Sequence, residues 1–202
     1  MVEEIEETKN PYIILTLGES TVGKSAYIQN YVYNIFKATS PTIGCNIISK
    51  YLYSSNEEKI KIKFVDISGK ERYQSLPLLF IKQAHGVILM YDITRKNTFN
   101  TISNWWEKIL DSKDKDFPAI LIGNKCDLEN QREVQKKEGE KIAKELGIKF
   151  LEVSNKNGKS IKKSARELIK MILQNIGKSD DINSVRLDKK KYSKRKKKKC
   201  CK

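Results

Sequence analysis

Hydrophobic positions in this chain change period several times, and each change marks an element. Tyr12–Leu17 is a short, nearly unbroken apolar run, too brief for a helix, and predicts a buried strand. A polar, glycine-bearing stretch follows, and residues 23 to about 34 predict a helix. Residues 36–42 have no period and predict a loop. Residues 43–53 are strand-like, Ser54-Ser55-Asn56 signals a turn, and then Ile60, Ile62 and Phe64 alternate with Lys59, Lys61 and Lys63. That alternation is a strand with one wet face, so the pair predicts an antiparallel hairpin. Gly86–Asp92 and residues 118–123 are apolar and β-branched enough for buried parallel strands, and residues 148–153 predict one more.

Between these runs the period is helical. Phe99, Ile102, Trp106 and Ile109 share a face, as do Ile161, Ala165, Leu168, Ile169 and Ile172. Residues 132–146 are mostly charged, with Val134, Ile142 and Leu146 as a sparse apolar side. The order β-α-β-β-α-β-α-β-α-β-α predicts a three-layer α/β fold. Its six-stranded, mostly parallel sheet has one antiparallel edge strand and helices on both faces. Ligands of such sheets sit beyond the C-terminal ends of the strands.

Composition adds the limits of that domain. A chain of 202 residues with 39% hydrophobic and 32% charged positions suits one soluble domain plus a tail, with core enough to need no disulfide or metal staple. No apolar run approaches the ~20 residues of a membrane span, and the acidic first ten residues contain no secretory leader pattern. Cysteines at 45, 126, 200 and 201 form no disulfide framework and point to a reducing compartment. The net charge of +15 is concentrated: residues 186–202 hold eleven Lys/Arg and one acid, which is +10, leaving +5 for the rest. The expected division is a flexible N-terminus at 1–10, a folded domain at 11–176 and a disordered basic tail at 177–202.

The candidate chemistry starts at Gly18, Glu19, Ser20, Thr21, Val22, Gly23, Lys24 and Ser25, followed by Ala26. Gly, four residues, then Gly-Lys-Ser between a strand and a helix is the phosphate-binding loop pattern. Its glycines let successive N–H groups curl around an anion at a helix N-terminus. Lys24 would bridge terminal phosphates and the Ser25 hydroxyl would coordinate Mg²⁺. Asp66-Ile67-Ser68-Gly69 ends the third strand. Asp66 suits a Mg²⁺ site through water, and Gly69 can offer an N–H to a γ-phosphate; by itself the same stretch also reads as a plain turn. Asn124-Lys125-Cys126-Asp127 follows a buried strand. The Asp127 carboxylate can accept from both N1–H and the 2-amino group of guanine, a pairing adenine lacks. Asn124 can tie its loop to the phosphate loop, and the Lys125 stem can lie over the base. Ser154-Asn155-Lys156 follows the last strand, where a backbone N–H could meet the guanine O6 and Lys156 could pack beside the base.

With these residues in order, the chain resembles a small GTPase of the Ras superfamily, and within it a Rab. The resemblance runs from about residue 12 to 175. Its Rab-like stretches are Thr42-Ile43-Gly44, Asp66 to Tyr73, His85 to Thr94 and the Cys-Cys ending. It implies that Thr42 is the switch I threonine, ligating Mg²⁺ through its hydroxyl and touching the γ-phosphate through its N–H, and that Phe36 packs against the guanine. It implies GTP hydrolysis with Mg²⁺ by direct attack of water, with Lys24, Thr42, Gly69 and residue 70 around the reacting phosphate, and switches ordered by γ-phosphate. The partners it implies are effectors at the switches, an exchange factor, a GTPase-activating protein, a Rab escort protein and a GDP-dissociation inhibitor. The resulting expectation is a monomeric GTP/GDP switch in vesicle-mediated membrane traffic, on the cytoplasmic face of an intracellular membrane and cycling with the cytosol.

Departures from that pattern carry their own expectations. Lys70 stands where the family has Gln. An ammonium donates but cannot accept, so it cannot orient the attacking water as Gln does, and intrinsic hydrolysis is expected to be slow. The alternative is a GTP-dependent binding module that hardly hydrolyses. Thr21 stands where Gly is usual, Pro77 falls in switch II, and the 36–42 loop is one residue short. The tail ends Lys199-Cys200-Cys201-Lys202, which is not a Cys-a-a-X box. It resembles the Rab double-cysteine ending, which implies geranylgeranylation of Cys200 and Cys201, two chains sufficing where one is marginal. Basic residues would add attraction to an anionic leaflet. A nucleic-acid arm and a merely solvated tail are the competing readings of the charge run, and no nucleic-acid partner is expected. His85, the only histidine, reads as structural, one of Trp105 and Trp106 as core, Cys45 and Cys126 as non-metal, and Tyr73 as either packing or an effector contact.

Overall fold

A computed structural model describes residues 10–37, 40–53, 59–69, 75–177 and 186–187. Its strands are β1 (Tyr12–Leu17), β2 (Cys45–Tyr53), β3 (Lys59–Ile67), β4 (Gly86–Asp92), β5 (Ala119–Asn124), β6 (Lys149–Glu152) and β7 (Arg186–Leu187). The helices are α1 (Lys24–Tyr33), α2 (Ser75–Gln83), α3 (Lys96–Asn100), α4 (Ile102–Leu110), α5 (Lys136–Leu146) and α6 (Ile161–Asn175). The sheet order is β6-β5-β4-β1-β3-β2-β7. All pairings from β6 to β3 are parallel, and β2 runs antiparallel to β3 from Cys45↔Ile67 to Tyr53↔Lys59. The six predicted strands are therefore present, with the one antiparallel hairpin.

Strand periodicity sorts the core into two layers. Ile14 faces α1 and α6, where Tyr27, Ile28, Leu168 and Ile172 are buried, whereas Leu15 and Leu17 face the layer of Ile81, Ile102, Trp106, Ile109 and Ala143. Trp106 is core and Trp105 only half-buried. His85 is structural: its Nδ1 accepts the Ile13 N–H at 3.1 Å and its main-chain N–H donates to the Ile13 carbonyl at 2.8 Å.

Several element limits differ from the sequence pattern. The helix face through Phe99 and Ile109 is interrupted at Thr101, whose hydroxyl donates to the Thr98 carbonyl and separates α3 from α4. The charged stretch 132–146 becomes helical only at Lys136. Before it, the Glu133 and Val134 N–H groups donate to the Ile93 carbonyl, and the Glu138 carboxylate accepts the Gln135 N–H at the helix start. Val134 is thus buried without being helical. The strand predicted from residue 43 starts at Cys45, because Gly44 is left-handed (φ 70°) and its carbonyl accepts the Ser68 N–H. Pro77 is the third residue of α2, in the first turn where proline is tolerated.

Within the stretch expected to be a disordered tail, Arg186 and Leu187 pair with Tyr53 and Leu52 as β7. The outer edge of β2 offers unpaired backbone groups, and such pairing requires no particular side chains. Residues 1–9, the turn at 54–56, Lys70, Tyr73, and the end with Cys200 and Cys201 lie outside the described residues. Among the described residues no helix is long and apolar enough to cross a membrane.

Candidate functional site

Parallel strands β1, β3, β4 and β5 end on one side of the sheet, and the loops that follow them meet there. The loop after β1 is the 18–25 segment. It turns through Gly18 (φ 137°), Thr21 (φ 62°) and Gly23 (φ 102°) before α1 begins at Lys24. Thr21 is a β-branched residue held in the left-handed region, which disfavours L side chains. Gly23 is enclosed: a Cβ there would lie 2.3 Å from Asn124 Nδ2 and 2.7 Å from Asn155 Nδ2.

Those two amides strap the loop. Asn124 Nδ2 donates to the Val22 carbonyl at 2.7 Å, the tie the sequence predicts. Asn155 Nδ2 donates to the Gly23 carbonyl at 2.8 Å, and Asn30 Nδ2 donates to the Asn155 carbonyl at 2.8 Å. The strap from Asn155 is a side-chain role that the sequence did not indicate. Ser154, fully buried, donates its hydroxyl to Asp127 Oδ1 at 2.5 Å and so orients that carboxylate. Lys156 and Phe36 are exposed.

Lys24 is buried against its own loop. Its Nζ donates to the Gly18 and Glu19 carbonyls, both at 2.9 Å. Burial lowers its pKa to about 8, against the opposing pull of Asp66 and Glu19. Next to it, the Ser25 hydroxyl lies 3.0 Å from Thr42 Oγ1, and Thr42 Oγ1 donates to Asp66 Oδ2 at 3.3 Å. Three oxygen-bearing side chains from α1, the loop before β2, and β3 are thereby gathered. Asp66 Oδ1 is buried with no hydrogen-bond partner. Burial raises the Asp66 pKa, with the Ser25 hydroxyl, Lys24 and Thr42 pulling the other way. Gly69 is pressed on the same loop: a Cβ there would stand 2.4 Å from the Ser20 nitrogen and 2.5 Å from the Glu19 carbonyl carbon.

Asp92 lies in the Rab-like stretch His85 to Thr94 without a role assigned to it there, and Arg95 follows just outside that stretch. Asp92 ends β4 fully buried, with Lys125 Nζ at 2.6 Å, and Arg95 reaches from it to the 18–25 loop. The available signal was an acid closing an otherwise apolar buried strand, since a buried carboxylate requires partners.

A model of the Ras family matches residues 13–174. The chain is 39% identical over 163 residues to the Arabidopsis thaliana protein named Ras-related protein RABC1, covering 80% of this chain and 76% of that one. It is 34% identical over 169 residues to human Ras-related protein Rab-3A, covering 83% and 76%. The chain belongs to the Ras family, in its Rab branch. Rabs are GTPases that bind GTP and GDP, typically with Mg²⁺. The residues of this Rab fit such an ion: Ser25, Thr42 and Asp66 present hard oxygen donors, and the unpartnered Asp66 Oδ1 is a buried acceptor without a proton donor.

Proposed function

We propose that this Rab is a GTP/GDP-dependent switch of vesicle-mediated membrane traffic that hydrolyses GTP slowly on its own. The observation that carries the nucleotide part is the convergence of the strapped 18–25 loop, the Ser25–Thr42–Asp66 oxygens and the oriented Asp127 carboxylate at the strand ends. In this reading the loop N–H groups and Lys24 hold phosphates. Lys24 exchanges two carbonyl partners for phosphate oxygens, which favours its charged form in a buried place. Ser25, Thr42 and Asp66 would hold Mg²⁺, which offsets phosphate charge when bound. Asp127, fixed by Ser154, accepts from guanine, and Asn124 and Asn155 keep the base loops in register with the phosphate loop. Gly69 places a main-chain N–H toward the terminal phosphate.

Lys70 in place of Gln supports slow hydrolysis, because it supplies no acceptor for the attacking water. An activating protein that contributes its own groups would restore the rate. Effectors, an exchange factor, an escort protein and a GDP-dissociation inhibitor are the partners of such a switch. Prenylated Cys200 and Cys201 with the basic tail would hold it on the cytoplasmic face of a membrane, the 11–176 region acting as the switch.

The test is to identify the nucleotide on the purified protein and to time single-turnover GTP hydrolysis with Mg²⁺ and with EDTA, for the wild type and Lys70→Gln. Bound guanine nucleotide, a slow wild-type rate and a faster variant are expected. An ordinary Rab rate unaffected by Lys70→Gln would sink the slow-hydrolysis reading, and no turnover even with a Rab-activating domain would favour the pure binding module. Membrane recovery of Cys200→Ser/Cys201→Ser equal to wild type would sink the lipid anchor.

A further inference from the structure

One buried carboxylate ties the base side of the site to its phosphate side. Asp92 Oδ2 accepts from Lys125 Nζ at 2.6 Å and from Arg95 Nε at 2.9 Å. Its Oδ1 accepts the Thr94 N–H at 3.0 Å and the Thr94 hydroxyl at 2.7 Å. With both oxygens occupied, the Asp92 carboxylate is fully paired, and it orients the guanidinium next to it. Arg95 then donates from Nη2 to the Ser20 carbonyl at 3.1 Å.

The identity of that carbonyl matters. It belongs to the peptide plane joining Ser20 to Thr21, and the orientation of that plane is set in part by the φ of Thr21. Thr21 sits at φ 62°, a region that a β-branched side chain leaves when nothing holds it. Lys125, at the other end of the same network, is left-handed too, at φ 67°. Two strained residues, one in the phosphate loop and one in the base loop, are therefore the two that the Asp92–Arg95 pair braces. Backbone strain of this kind persists only where the surroundings over-determine it.

We infer that Arg95, oriented by Asp92, is a positioning residue that clamps the Ser20–Thr21 peptide and joins it to the Lys125 loop, so that the rate of nucleotide release depends on this clamp. The inference rests on the guanine-nucleotide reading of the site. The fork of Arg95 is what the role requires, since one donor goes to Asp92 while another goes to Ser20; a lysine has a single nitrogen for both. Loss of the fork lets the Ser20–Thr21 plane rotate, and N–H groups aimed at phosphate lose their alignment.

The full chain is loaded with N-methylanthraniloyl-GDP in Mg²⁺, and release is followed after adding excess unlabelled GDP. Arg95→Ala is expected to raise the release rate about tenfold, the size of one lost charge-assisted hydrogen bond, and Arg95→Lys to fall between it and wild type. The deciding measurement is the cycle with Thr21→Gly, because glycine adopts the turn unaided. In that background Arg95→Ala is expected to raise release by less than about threefold. Equal effects in the two backgrounds, or a change below twofold for Arg95→Ala in the Thr21 protein, would overturn the clamp, and a general loss of stability would give equal effects. If Arg95→Ala yields no folded protein, Arg95→Lys carries the same cycle. A wild type that takes up no labelled GDP overturns the nucleotide reading and the clamp together, whereas uptake with unchanged rates overturns the clamp alone.

Discussion

Replacing Gly23 by Ala would add one methyl at the most confined point of the site. The new Cβ would stand 2.3 Å from Asn124 Nδ2 and 2.7 Å from Asn155 Nδ2, well inside contact distance. Neither nitrogen is the free end of a loose side chain. Each belongs to a residue at most 4% exposed and donates to a loop carbonyl, at 2.7 and 2.8 Å. Displacing a buried donor from its acceptor costs roughly 1–3 kcal/mol each, and a non-glycine residue at positive φ adds roughly 1–2 kcal/mol. The sum is about 5 kcal/mol, comparable with the whole stability of many domains. Gly147 provides the control. It is left-handed at φ 72°, yet a Cβ there meets nothing within 4 Å, so Gly147→Ala carries only the backbone part, about 1 kcal/mol. Urea unfolding of the nucleotide-free proteins, read by Trp105 and Trp106 fluorescence, compares the two. Gly23→Ala should lose most of its stability and Gly147→Ala little, while Gly23→Ala/Asn155→Ala should lose less than the sum of its single variants. Equal losses at Gly23 and Gly147 would refute the steric reasoning.

Arg132 is 7% exposed and donates to both oxygens of Glu152, itself 12% exposed, as well as to Glu129 and the Val134 carbonyl. Arg132→Met should destabilise by about 3 kcal/mol by leaving Glu152 unpaired, and Arg132→Met/Glu152→Leu should recover much of it in the same unfolding assay. Burial, helped by Lys113, lowers the His85 pKa below its unfolded value of 6.5, so the unfolded chain takes the proton first. The stability His85 contributes is then present above about pH 6.5 and lost as pH falls through its folded value. Urea midpoints should decline across that window, and His85→Asn should flatten the decline; an unchanged slope would contradict the assignment, since this is the only histidine.

What could be read from the sequence was whatever is encoded over short distances. Lys59, Lys61 and Lys63 showed the wet face of β3 because strand period is local, and the 18–25 loop was visible because its chemistry is contiguous. The break at Thr101 was hidden, since Phe99, Ile102, Trp106 and Ile109 keep a helical period across it. Val134 matched the helical face of 132–146 although it is held by the Ile93 carbonyl, a contact no local pattern contains. The Asp92–Arg95 link to Ser20 was out of view for a similar reason: it spans 75 residues and exists only because β4 lies beside β1. β7 carries no side-chain signature because backbone pairing at the β2 edge makes it.

The seat of Gly69 on Glu19 and Ser20 has a mechanical meaning. A side chain between two segments acts as a cushion, since its rotamers absorb small displacements. Here main chain bears on main chain, with no room for even one carbon between them. Such a contact works like a gear tooth and leaves no slack. Any movement of the 18–25 loop toward β3 is passed on undamped to Gly69.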